Sequence, residues 1–244
     1  IILRLATGAY RRPIGDKEIA TLMTFYRAGT QEGGFEAGIR TALQAILASP
    51  DFVFRFEEPG TGAGSASSRL NDLDLASRLS FFLWSAPPDD ELRELAKEGN
   101  LSDAGTFDLQ VHRMLADSRA EALGSRFASL WLRLQDLDLV HPDSLRFPDF
   151  YQQLVSSMHR ETELFFENLV REDRSALELL TADYSFVDER LARHYGISGV
   201  LGEQFVRVQL PAERRGILGH GSILASTSHA NRTSPVMRGK WVME

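Results

Sequence analysis

Several groups of residues in this chain carry side chains of the kind that do chemistry. His159 and Glu163 stand four apart in "SMHRETELFF", so a helix places them on one face at the spacing of two metal ligands. Two ligands fall short of a zinc site, and a solvated ion pair is the expected outcome. Asp89, Asp90 and Glu91 form a carboxylate cluster just after Pro88, where acids meet the positive end of a helix dipole; that accounts for them without a site. "HGSI", His220 to Ile223, sets a serine beside a histidine but lacks the Gly-x-Ser-x-Gly elbow that exposes a nucleophile. His220 and His229 have the chemistry of axial or metal ligands, and no third partner accompanies them.

The last stretch, "RTSPVMRGKWVM", reads more specifically. Ser234 is an N-cap and Pro235 the first residue of a helix, so the free amides beyond them form a positive end. Arg232 precedes that end; Arg238 and Lys240 follow it. Guanidinium groups around a helix N-terminus suit a carboxylate or phosphate. Arg232, Ser234, Arg238 and Lys240 are therefore the candidate anion or docking site. The competing expectation is that the two arginines pair with acids of the body and fasten the tail to it. No catalytic residue is identified.

The elements that must position these groups are helical. "RRPIGDKEIATLMTFYRAGTQ" and "GGFEAGIRTALQAILASPDF" each carry an apolar stripe at three-four spacing, and Pro50 ends the second. "EEPGTGAGSASS" is a Gly/Ser-rich connection, with the linker proper at 59–68; no strand leads into its glycines, which argues against a nucleotide loop. Beyond it, Asn71 caps "DLDLASRLSFFLW", Pro87 and Pro88 punctuate, and further helical patterns run through 107–117, 119–137 and 148–173. Asp188 opens a short helix that Gly196 closes. Trp84, Trp131, Phe165 and Phe166 fall in apolar stripes and read as core. Only "QFVRVQLP" alternates like a strand. The fold class is mainly α, helical bundle modules with at most a minor β element near 204–210.

The chain has 244 residues, 43% hydrophobic and 25% charged, enough to bury a core without a disulfide or metal staple. Its net charge of −7 argues against non-specific nucleic-acid binding. The stretch 204–244 runs the other way, with six cationic residues against two acids. No run approaches the length of a membrane span. With no cysteine, covalent haem attachment, thiolate metal sites and a cysteine nucleophile are excluded within these residues.

"RRPIGDKEIATLMTFYRAG", "LDLASRLSFFLWSAPPDDELRELAKEGNL", "RETELFFENLVREDRSALELLTADYSFVDERLARHYGI" and "RRGILGHGSILASTSHANRTSPVMRGKWV" together resemble a planctomycete-type multidomain family of uncharacterised proteins, in which serial domains of unknown function accompany cytochrome-c-type haem segments. The resemblance implies a small helical module at 1–58, a larger one at 69–198, and at 200–244 the start of a truncated third module that is haem-associated in the family. It implies an exported protein, periplasmic or extracellular, serving electron transfer or oxidation. Its partners would be the downstream haem module and a redox protein. Haem c is then expected of the full-length protein and not of these residues. The alternative is a structural or ligand-binding protein of the cell envelope without catalysis.

Overall fold

Several helices start where the sequence supplies a side-chain cap. Asn71 Oδ1 accepts from Asp74 N at 2.8 Å, Asp89 Oδ1 from Leu92 N at 3.1 Å, Asp188 Oδ1 from Leu191 N at 2.8 Å and Ser234 Oγ from Met237 N at 3.3 Å. Each satisfies an amide that the first helical turn leaves free. The computed structural model describes residues 1–55 and 70–244; the linker expected at 59–68 lies outside them. The chain is mainly α, as its periodicity predicts, with two small antiparallel sheets of two strands each. The described residues fall into two compact units, Ile1–Met114 and Leu115–Glu244.

In the first unit α1 (Ile2–Tyr10) packs on α2 (Asp16–Ala48) around Ile2, Ala6, Leu22, Ala42 and Ile46. Gly33 and Gly34 interrupt α2, Gly34 with a φ of 75°. The two stripes predicted on either side of these glycines thus become two arms, with the Tyr26 and Phe35 rings meeting edge to face at 6.3 Å. The α3 turn (Pro50–Val53) follows, then α4 (Asp72–Trp84), α5 (Asp90–Lys97) and α6 (Ala104–Ala116). Here the Asp89 cluster is absorbed into the fold. Arg113 grips the Asp89 carboxylate at 2.7 and 3.1 Å, and Glu91 accepts from Gln110 at 2.8 Å. Asp90 pairs with Arg93.

The second unit opens less regularly than its periodicity predicts. A 3-10 turn (Ser118–Glu121), a π-helical turn (Leu123–Ala128), α7 (Ser129–Trp131) and a 3-10 stretch (Leu134–Leu139) replace one helix. Arg133, left-handed with a φ of 55°, turns the chain between the last two. Then come α8 (Gln152–Arg171), α9 (Glu178–Thr181), β1 (Tyr184–Val187), α10 (Glu189–Tyr195), β2 (Val206–Gln209), α11 (Gly221–Ser226), β3 (Ser228–His229), β4 (Arg232–Thr233) and α12 (Pro235–Met243). The strand expected near 204–210 is β2. It pairs antiparallel with β1, Tyr184 opposite Gln209 and Val187 opposite Val206; β1 is too short to announce itself by alternation.

Helix α8 is central because it feeds two apolar clusters. Phe165 and Leu169 pack with Tyr184, Ile217 and Ile223 on one side; Leu154, Val155 and Met158 pack with Val187 and Leu191 on the other. Burying a side chain of this size contributes about 2–3 kcal/mol. Trp84 and Phe165 are core as read, at 3% and 0% exposure, whereas Trp131 is 54% exposed. Trp131 stacks on Phe127 at 6.1 Å and meets Phe166 edge-on at 6.3 Å, so its apolar stripe continues as a surface aromatic cluster.

Candidate functional site

On α8 the positions Leu154, Met158, Glu161, Phe165 and Leu169 follow one stripe, and Glu161 is the charged residue in it. Its side chain is fully buried and its two oxygens are divided between partners. Ser185 Oγ, on β1, donates to Oε1 at 2.8 Å; Tyr195 Oη, at the end of α10, donates to Oε2 at 2.6 Å. Tyr195 Oη in turn accepts from Gly221 N, the first residue of α11, at 2.6 Å. A Cβ at Gly221 would stand 2.9 Å from both Tyr195 Oη and Met158 Cε, so this approach of backbone to phenol requires glycine.

The second arm of the network runs through His220. Its Nε2 lies 3.4 Å from Ser185 Oγ, and its Nδ1 lies 3.0 Å from Thr162 Oγ1, which meets Ser222 Oγ at 2.7 Å. The ring also meets Phe165 edge-on at 5.0 Å. Glu161, Thr162, Ser185, His220 and Ser222 all have 0% exposure. Two arrangements of protons satisfy the chain. With Glu161 ionised, Ser185 donates to it, His220 Nε2–H donates to Ser185, Thr162 donates to Nδ1 and Ser222 donates to Thr162. With Glu161 protonated, each of those bonds from Glu161 to Ser222 reverses.

Burial pushes the Glu161 carboxyl up to about 7, against the pull of the Tyr195 and Ser185 hydroxyls and the Arg214 charge. Burial also holds His220 down to about 3, with Arg214's charge acting in the same direction; the imidazole is neutral. Tyr195 is raised well above its ordinary value by burial and by the Glu161 charge, so the phenol keeps its proton. Arg214 caps the assembly, its guanidinium carbon 4.0 Å from the Tyr195 ring centroid and its Nη1 donating to Gly219 O at 3.1 Å.

This is a buried polar network of the kind that fixes one packing arrangement, since every member has a partner and losing one strands another. It fastens 214–222 to α8, β1 and α10. "HGSI" is thus neither a nucleophile nor a ligand pair: His220 and Ser222 are enclosed and occupied, and His229 is exposed on β3. Among the described residues no group of three or more His, Cys, Asp or Glu is placed to hold a metal ion. The His159–Glu163 ion pair expected from their spacing does not form. His159 Nε2 lies 3.4 Å from Asp138 Oδ1, at an angle outside hydrogen bonding, while Glu163 pairs with Arg160 at 3.1 Å.

The four residues of the terminal candidate site surround α12 but do not converge. Ser234 caps the helix. Arg232 is exposed and has no hydrogen bond or ion pair among the described residues. Arg238 Nε donates to Thr227 Oγ1 at 3.4 Å, and its Nη2 is buried without a partner among the described residues. Lys240 lies 3.2 Å from Glu244. Neither arginine meets a carboxylate among the described residues. What holds α12 is Trp241, whose Nε1 donates to Leu132 O at 3.3 Å, and the Arg133–Glu244 pair at 3.2 Å. Beside Trp241 an apolar cleft of about 580 Å³ is lined by Trp131, Leu177, Leu180 and Val242.

Sequence reasoning missed Glu161, Ser185, Tyr195 and Arg214. Glu161 alone had a visible signal, a charge at a core position of the α8 stripe.

Three family models match the chain. Residues 1–57 match PSD5, a protein of unknown function (DUF1595); 70–197 match PSD4, a protein of unknown function (DUF1592); 214–244 match PSCyt3, a protein of unknown function (DUF1588). The buried network joins the second of these stretches to the third. No curated protein and no solved structure matches the chain. The PSD4 match spans more than half of the residues, and the chain accordingly belongs to the DUF1592 family of proteins of unknown function.

Proposed function

We propose that this chain is the helical scaffold and docking part of an exported c-type cytochrome-associated protein that serves electron transfer or oxidation. The observation that carries the reading is the hydrogen-bonded attachment of 214–222, within the PSCyt3 match, to α8, β1 and α10. A segment wired into a scaffold by its backbone amide, its histidine and its serine transmits a fixed position to whatever it bears. Two further features support docking: the apolar cleft beside Trp241, and Arg232 and Arg238 around the capped start of α12, neither paired with a carboxylate among the described residues, which suit an acidic partner surface or a haem propionate.

The residues present do not fit covalent attachment of haem, because there is no cysteine and c-type attachment needs thiols. His220 has both ring nitrogens engaged and is no axial ligand. Haem c therefore belongs, in this reading, to the full-length protein outside these residues, in the periplasm or beyond the cell surface. The test is a pyridine hemochrome spectrum of the mature full-length protein, exported by a host competent in cytochrome c maturation. Covalent haem is the expected result. Its absence would leave the alternative, a structural or ligand-binding protein of the cell envelope without catalysis, which an arginine-lined cavity in the first unit favours.

A further inference from the structure

A cavity of about 450 Å³ lies in the first unit where the end of α1, the α3 turn and α4 meet. Arg11, Arg12, Arg55 and Arg78 line it together with Asp51 and Asp74. The arginines are not equivalent. Arg12 is compensated, bonded to Glu18 at 2.7 and 3.1 Å and 3.2 Å from Asp51. Arg11 is buried and its donors go to backbone carbonyls, Asp51 O at 2.8 Å and Ala9 O and Phe54 O at 3.0 Å. Carbonyls orient a guanidinium without cancelling its charge.

Arg55 makes no hydrogen bond or ion pair among the described residues. Its guanidinium carbon stands 5.1 Å from the centroid of the Phe81 ring, which Arg11 approaches at 5.9 Å. Two guanidinium groups thus crowd one aromatic ring, and burial followed by the Arg55 charge lowers the Arg11 pKa. Ser77 lines the same cavity, and its hydroxyl is buried with no partner among the described residues, although a helical serine often bonds back to a carbonyl one turn earlier. A guanidinium with no carboxylate partner among the described residues, a second held by carbonyls, and an idle hydroxyl on a residue of the same lining are what an anion site leaves when its ligand is removed.

We propose that this cavity binds a small organic anion whose carboxylate or phosphate group takes the Arg55 guanidinium, beside the oriented charge of Arg11, and engages the Ser77 hydroxyl. A guanidinium fork matches either head group in two parallel hydrogen bonds, and the volume is that of a small-molecule site. Tyr10 and Leu73, also in the lining, offer the ligand's carbon skeleton an apolar wall.

Isothermal titration of the full chain at low ionic strength, with inorganic phosphate in one arm and succinate in the other, reads the binding and separates the two head groups. Saturable binding of at least one is expected, weakening as salt rises. Arg55→Gln and Ser77→Ala are the informative variants, because neither side chain has a hydrogen bond to lose among the described residues. Arg55→Gln is expected to weaken binding about tenfold or more, and Ser77→Ala severalfold. The ligand-free Ser77→Ala protein should melt no lower than wild type, since an unpaired hydroxyl has been removed. The proposal is overturned if neither anion binds at up to about 10 mM, or if Arg55→Gln binds as tightly as wild type.

Discussion

Tyr195 Oη stands 2.6 Å from Glu161 Oε2 and 2.6 Å from Gly221 N, so one phenol joins a buried carboxyl of α8 to the first amide of α11. Replacing it with phenylalanine removes one oxygen and strands two buried groups. Tyr195→Phe should destabilise the chain by about 3 kcal/mol, the combined cost of an unpaired amide and an under-bonded carboxyl. Urea unfolding at pH 7 measures this; a loss under about 1 kcal/mol would mean that the phenol is a bystander.

Glu161 makes stability depend on pH with a definite sign. Its carboxyl titrates near 4.5 when unfolded and is raised by burial to about 7 when folded, so between those values the folded chain holds a proton that the unfolded chain has released. The contribution is fully present below about pH 4.5 and is lost as pH rises through about 7, by roughly 3 kcal/mol at 1.36 kcal/mol per unit. Glu161→Gln removes the titration while keeping the volume. The stability difference between wild type and variant should therefore shift in the variant's favour between pH 5 and pH 8 in paired denaturation curves. An identical difference at the two pH values would refute the assignment.

Gly216 holds a conformation that only glycine adopts easily, with φ 63° and ψ −177°. A Cβ there would lie 2.5 Å from the Leu180 carbonyl carbon, and the Gly216 amide donates to Ala182 O at 2.9 Å. Gly216→Ala should cost more than about 2 kcal/mol and loosen the whole segment that follows. Hydrogen exchange on the amides of α11 is the direct readout, and wild-type protection in the variant would count against it.

Ser234→Ala tests the start of α12. The cap bond of 3.3 Å is long, so a loss of about 1 kcal/mol or somewhat less is expected. A thermal melt together with the fluorescence of Trp241, which is anchored on Leu132 O, would register both the stability and the docking of the helix; no change in either would dismiss the cap.

The amino-acid pattern alone determined what depends on neighbours in the chain. The apolar stripes specified helices, Asn71, Asp188 and Ser234 specified where three of them begin, and the alternation at 206–210 specified β2, because periodicity and capping are local physics. The absence of cysteine likewise excluded covalent haem attachment within these residues. Tertiary structure decided what depends on distant partners. Glu161 reads as one more acid on a helix until Ser185, Tyr195 and Gly221 are brought around it from three later elements. His159 and Glu163 share a face, yet Asp138 and Arg160 stand nearer, and proximity overrules spacing. Arg11 and Arg55 are 44 positions apart by their numbers and crowd the same ring only once α3 and α4 have packed. Burial shifted the Glu161 carboxyl, and burial is a property of the assembled core that no local window of sequence contains.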